Sequence, residues 1–102
     1  MSALEERLAR LAEAGIQLLP LPGLGRYFVF ERDGFIALVE RAADGGFGQA
    51  GPAGLLTERG FAALVWKAGK AFFIAKGFEE EASSERLLLL RRFSDDLARA
   101  LS

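Results

Sequence analysis

Three residue types are missing from this chain of 102 residues: cysteine, histidine and asparagine. Without cysteine and histidine there are no disulfides, thiolate nucleophiles, Cys/His zinc sites, imidazole bases or Ser-His-Asp triads. The absence of asparagine, with glutamine only at Gln17 and Gln49 and Arg outnumbering Lys ten to three, fits a heat-adapted source. A GC-rich genome would produce the same bias. Because the chain lacks the Cys and His chemistry named above, we expect a non-enzymatic protein with no cofactor and no bound metal.

Charge of one sign is also missing, because 13 basic residues face 14 acidic ones for a net charge of −1. Such a balance offers no field to attract nucleic acid or an anionic membrane. The apolar runs FAALVW and LLLL are far shorter than a bilayer span, and the first residues lead directly into charges rather than into a signal peptide. We expect a cytoplasmic protein that contacts no membrane.

Apolar residues are abundant by contrast, at 51% of the chain with nine phenylalanines. This is slightly high for a small soluble domain, which suggests a surface that is buried against another molecule. The length suits one domain, residues 1–102, with one core.

Two amphipathic helices are predicted at the ends of the chain. Residues 2–14 carry an apolar stripe, with Ser2 as N-cap and Gly15 as C-cap. Residues 82–101 form the second helix, capped by Ser83 or Ser84. Its core stripe is expected to consist of Leu90, Phe93, Leu97 and Leu101, and Asp95 is expected to pair with Arg99.

Two β-hairpins are predicted between the helices, because Asp33-Gly34 and Ala68-Gly69 each separate two apolar runs. The strands are expected at 26–32, 35–41, 61–67 and 71–76. Residues 16–25 read as an extended connector, and 42–59 as an irregular glycine-rich loop with a short extra strand near 46–50. The fold class is therefore α+β, an antiparallel four- to five-stranded meander flanked by an N-terminal and a C-terminal helix.

The loop contains GFGQAG, residues 46–51, which matches the dinucleotide-binding pattern G-x-G-x-x-G. That pattern functions between a parallel strand and a helix, whose N-terminal amides hold the pyrophosphate. Here the preceding strand belongs to a hairpin, and Gly54 and Gly60 leave too little room for a helix. We interpret the glycines as a bulged connection. A backbone nest for an anion within Gly45–Gly54 stays open as an alternative.

Acidic residues offer two further alternatives. The run Glu79–Glu81, with Glu85 one turn on, is a conceivable divalent-metal site, but complementarity to the positive end of the second helix explains it more simply. Glu31, Asp33 and Glu40 are conceivable hydrolytic carboxylates, but they lie at a hairpin where charges face water.

Strand patterning provides the main functional hypothesis. A sheet with one face in solvent alternates apolar and polar residues, whereas these strands are apolar on both faces. Two helices of this length can cover one face of such a sheet or lie thinly on both, and Leu87–Leu90 spread around more than half of a helix. We expect a homodimer; a monomer with one helix on each face is the rival. The candidate interface residues are Phe28, Phe30, Phe35, Trp66, Phe72, Leu87 and Leu88.

The sequence thus favours a small self-associating, non-enzymatic protein-interaction module, a protein-binding domain without catalytic residues. One alternative is a ligand-binding or catalytic domain with a pocket between sheet and helices. It requires at least two of four side chains within hydrogen-bond reach: Arg26, Glu31, Glu40 and Arg59. A second alternative is single-stranded nucleic-acid binding by a strand face that carries Arg26, Phe28, Phe30 and Arg32.

Overall fold

A computed structural model describes residues 3–20 and 25–102 of the chain. The elements follow in the order α1 (Ala3–Glu13), β1 (Gln17–Leu19), β2 (Tyr27–Arg32), β3 (Phe35–Arg41), β4 (Phe47–Thr57), β5 (Gly60–Lys67), β6 (Lys70–Ala75), β7 (Phe78–Glu81) and α2 (Ser84–Leu101). The predicted α+β class is confirmed. The meander has seven antiparallel strands in chain order rather than four or five.

Both predicted hairpins are confirmed. Asp33 and Gly34 have φ of 56° and 87°, and Ala68 and Gly69 have φ of 50° and 81°. Two consecutive positive φ angles define the type I′ turn, whose twist matches that of the flanking strands. The register places Arg32 opposite Phe35 and Lys67 opposite Lys70.

Two short edge strands were missed by the sequence reading. Gln17–Leu19, expected in the extended connector, pairs with β2 as β1. Glu79–Glu81, expected at the positive end of the second helix, instead lie in β7. Cations lie beside this acidic strand: Lys67 Nζ is 2.7 Å from Glu79 and Arg86 is 2.6 Å from Glu80. A three-residue strand and an acidic strand are formed by pairing with a neighbour, which local propensity does not reveal.

The glycine-rich segment forms an 11-residue strand, β4, where an irregular loop was expected. Its register against β3 shifts twice, because Ala37 faces Ala53, Val39 faces Ala50 and Arg41 faces Phe47. Each shift inserts one extra residue into β4, which is a β-bulge. Bulges bend a strand and tolerate proline and glycine, so this composition is compatible with a strand.

The helix ends follow the predicted chemistry. Gly15 has φ of 75°, and the N–H of Ile16 donates to the carbonyl of Leu11 at 2.9 Å, which closes α1 in a Schellman arrangement. The predicted N-cap Ser2 lies outside the described residues. Ser83 rather than Ser84 caps α2, with its side chain accepting from the N–H of Arg86 at 3.2 Å.

Arg99 pairs with Asp96 rather than with Asp95, so that predicted ion pair is wrong. Asp96 is already held by Arg32, whose Nη1 lies 2.8 Å from Oδ2, and it therefore lies in a position to take a second guanidinium. Spacing along the helix allowed either partner, and the tertiary contact with Arg32 selected one of them.

Both helices pack on the same side of the sheet. Directly paired residues of antiparallel strands point to the same face. In the core, every second residue of the strands packs against Leu11 of α1 and against Leu90, Phe93 and Leu97 of α2. We call this side the helix face. Its buried strand residues are Phe30, Phe35, Ala37, Val39, Ala62, Ala71 and Phe73. The rival arrangement, with one helix on each face, is not found.

Candidate interaction surfaces

The predicted interface residues divide among three environments. Phe30 and Phe35 are buried in the core, which withdraws them from any surface. Phe28 lies on the helix face, with its ring 4.9 Å from that of Phe47 and the Arg41 guanidinium 4.1 Å from its centroid. Leu87 packs against the core and is half-buried. Phe72, Trp66 and Leu88 remain at least partly accessible, and they lie on different sides of the molecule.

The side of the sheet opposite the helices, here called the open face, is also apolar. Its side chains come from the alternate strand residues, which point away from the helices and are not part of the helix-packed core. They are Leu19, Tyr27, Val29, Ile36, Leu38, Leu56, Phe61, Ala63, Val65, Phe72 and Ile74. Among the described residues, no helix covers them. Val65 is 36% exposed, and most of the others are half-buried by their neighbours in the sheet.

One part of the open face is covered by its own side chains. Gly54 lies opposite Ile36, and the Phe61 ring lies over it: a Cβ on Gly54 would be 2.6 Å from a ring carbon and 2.4 Å from the Ala62 carbonyl oxygen. The glycine thus makes room for the aromatic ring. Ile36 and Val29 are nearly fully buried although they point away from the helices. The accessible part of the open face therefore centres on β5 and β6.

The charges around this accessible part are already paired within the chain. Lys67 and Glu79 are 2.7 Å apart, Lys70 and Glu81 are 4.0 Å apart, and all four lie on the open face beside Val65 and Phe72. Exposed pairs of this kind contribute little to stability. They do leave the surface around Val65 with little net charge, so two copies can approach each other without like-charge repulsion.

The sheet opens between β4 and β5. These strands pair only at Leu55↔Ala62, Leu56↔Phe61 and Thr57↔Gly60. Beyond Ala62, β5 is paired with β6 alone, while β4 follows β3 through its two bulges. Against the helix face, the opening forms a groove of about 490 Å³. It is lined by Pro52, Ala53, Leu64, Trp66, Leu87, Leu90, Arg91, Ser94 and Asp95.

The four residues proposed for an enzyme site do not converge. Arg26 and Glu40 line one surface cavity of about 470 Å³, but no hydrogen bond joins them among the described residues. Glu31 accepts from Gln17 Nε2 at 3.0 Å. Arg59 lies at the β4–β5 turn, where its backbone N–H donates to Thr57 Oγ1. In residues 3–20 and 25–102, no acidic cluster is arranged to hold a metal ion.

The most connected ion pair links three elements. Arg32 of β2 donates through Nη1 to Asp96 Oδ2 at 2.8 Å and to the Ala14 carbonyl at 3.0 Å, and its guanidinium lies 5.7 Å from the Phe93 ring centroid. The hydrogen bond from Arg32 lowers the pKa of Asp96; the charges of Arg32 and Arg99 act in the same direction, and partial burial opposes them. These contacts join both helices to the sheet. Arg32, one of the residues suggested for nucleic-acid binding, therefore has a structural role.

The features that suggested nucleotide or nucleic-acid binding are engaged in the fold. GFGQAG lies almost entirely within β4, and Asp44 Oδ1 accepts from the N–H of Gly46 at 2.9 Å in the preceding turn. Phe28, Phe30 and Arg32 point to the helix face, so they do not form an exposed stacking platform. The groove beside β5 lies between the sheet and α2, where the ligand-binding alternative placed a pocket, but none of the four residues named for that alternative lines it.

Comparison with protein-family models, with curated proteins and with solved structures gave no match. In the described ranges, neither helix is long and apolar enough to cross a membrane.

Proposed function

We propose that this chain is a small non-enzymatic interaction module that forms a homodimer through the open face of its sheet. The observation that supports this most directly is the one-sided packing of the two helices, which leaves the apolar open-face residues of β1 to β6 without a covering layer. Such patches on small proteins are typical of interfaces.

The chain exposes more surface than a compact monomer of its mass. The chain exposes 6633 Å², whereas a compact monomer of 11.1 kDa exposes about 5,600 Å². The excess of roughly 1,000 Å² is close to the roughly 800 Å² that each partner buries in a standard interface. The radius of gyration agrees, at 14.1 Å against about 13 Å for a compact chain of this length.

A two-fold axis through the centre of the β5–β6 region brings the open faces of two copies into contact. In an isologous dimer the same patch is used twice, so Val65 and Phe72 of one copy meet the corresponding patch of the other. The internally paired lysines and glutamates form a polar rim around it.

Val65→Arg is the test, because it places an unpaired charge in the centre of the proposed interface. Sedimentation velocity over a range of concentrations should show a dimer for the native chain and a monomer for the variant. Leu88→Arg is the matched control, since Leu88 is exposed on α2; it should remain dimeric. A native chain that stays monomeric at about 1 mM would contradict the proposal, and dissociation by Leu88→Arg alone would move the interface to the helix side.

A further inference from the structure

The opening between β4 and β5 leaves backbone groups without a strand partner. The two-residue turn at Ala68-Gly69 makes Lys67 and Lys70 a hydrogen-bonded pair, and such pairs alternate along an antiparallel ladder. Leu64 and Trp66 therefore point their N–H and C=O groups away from β6. On that side, pairing within the described chain ends at Ala62. An unpaired edge of this kind is a template for another strand.

The side chains around this edge form a binding groove. Leu64, Leu90 and Ala53 supply apolar lining, and Trp66, which is 63% exposed, lies along the groove. Tryptophan in such a position is the residue type most often found to dominate an interface. The side chains of Arg91 and Asp95 at the groove have no hydrogen bond or ion pair to any other described residue. They are four residues apart, about 6 Å along the helix.

We propose that this edge binds an extended peptide segment of a partner protein by strand addition to Leu64–Lys67. In a bound strand, alternate side chains point to opposite faces. One set enters the groove, where an apolar side chain packs against Trp66 and an acidic side chain two positions along pairs with Arg91; residues two apart in a strand are about 6.7 Å apart. The other set points to a cavity of about 430 Å³ on the open face, and Pro52 lines both cavities.

The outer edge strands of a second copy fit this site poorly. Of its outer edge strands, β1 has three residues, and β7 has Phe78 packed on the core and its glutamates in ion pairs. Pairing β7 of one copy with β5 of another would also be heterologous and would not close into a dimer. The site uses the free backbone edge of β5 and the groove on the helix face, whereas the proposed dimer contact uses the side chains of Val65 and Phe72 on the open face.

Fluorescence anisotropy with a labelled peptide tests the proposal. The probe is a peptide in which threonine occupies every second position. The positions between the threonines carry valine, leucine, glutamate and valine, in that order. We expect saturable binding that Trp66→Ala and Arg91→Glu each weaken about tenfold or more. Leu88→Ala, outside the groove lining, should bind like the native chain. No saturation up to about 1 mM peptide would overturn the proposal.

Two further peptides separate strand addition from general stickiness. Proline in place of the threonines beside leucine removes N–H groups, so it should abolish binding; equal binding would exclude a strand-addition mode. Lysine in place of the glutamate should restore binding to Arg91→Glu, and a failure to do so would overturn the assignment of Arg91. Val65→Arg should still bind the native-pattern probe, and Trp66→Ala should keep the native oligomeric state, so this site and the dimer can fail independently.

Discussion

At the scale of single residues, Gly54 is required for a close approach rather than for an unusual backbone angle. Its position leaves the space that the Phe61 ring and the Ala62 carbonyl occupy. The Phe61 ring covers part of the open face, so this glycine limits how much of that face is free for a partner.

Gly54→Ala should destabilise the fold by about 1–3 kcal/mol or more, since the new Cβ would overpack a buried site and would be 2.4 Å from a backbone oxygen that cannot move away independently. Gly25→Ala is the control, because a Cβ there meets nothing within 4 Å. Urea unfolding of the three proteins measures the difference. Equal midpoints for Gly54→Ala and Gly25→Ala would contradict this account of the glycine.

Asp96 provides a prediction about pH. Its pKa is lowered in the folded state, chiefly by the hydrogen bond from Arg32, so the folded state binds fewer protons than the unfolded state near that pKa. The stabilisation is therefore present above the unfolded pKa of about 3.9 and is lost as pH falls through the lower folded value. Asp96→Asn should be less stable than the native chain at pH 7, and the gap should narrow toward pH 3.

Asp95→Asn is the matched control for that measurement, because Asp95 makes no ion pair with the described residues. Urea midpoints at pH 7 and pH 3 should differ from the native values by little at either pH. A gap for Asp96→Asn that is independent of pH would show that the Arg32 contact does not depend on the carboxylate charge.

At the scale of the elements, α1 is only partly used by the fold. Leu11 is 3% exposed, whereas Leu4 and Leu8 of the same stripe are 44% exposed. Arg10 donates to the carbonyls of Ala100 and Ser102, so the end of α2 lies beside the last turn of α1. The first turns of α1 therefore extend past α2, which accounts for the unburied part of a stripe that the sequence predicted as one surface.

The start of α2 yields a prediction that separates two adjacent serines. Ser83→Ala should cost about 1 kcal/mol, because it removes the acceptor for the N–H of Arg86. Ser84→Ala should be close to neutral, since Ser84 is the first helical residue and does not cap. Thermal or urea unfolding measures both. A larger cost for Ser84→Ala would place the helix start one residue later.

At the scale of the whole molecule, the long, thin shape follows from the meander. Seven strands in chain order, with no crossover, extend the sheet in one direction, and two helices cover one side of it; the principal extents are 47 × 27 × 19 Å. A layer of this shape has much surface for its volume. This geometry underlies the proposals of both a dimer through the open face and peptide binding at the β5 edge.

The sequence alone determined the α+β class, both terminal helices and both hairpins. These depend on local periodicity and on turn residues such as Asp33-Gly34, which act over a few positions. Of the candidate interface, it identified Trp66, Phe72 and Leu88 as accessible or partly accessible apolar residues, although Phe30 and Phe35 are core. Strand residues that are apolar on both sides do not by themselves reveal which side the helices cover.

Tertiary structure decided the rest. Both helices lie on one face, and GFGQAG lies in a bulged strand. Arg99 pairs with Asp96 rather than with Asp95, and the separation of β4 from β5 leaves an unpaired edge at Leu64 and Trp66. Each of these outcomes depends on pairing between residues distant in the chain. Long-range pairing overrides local preference because a strand's stability comes mainly from its neighbours and from the face it buries.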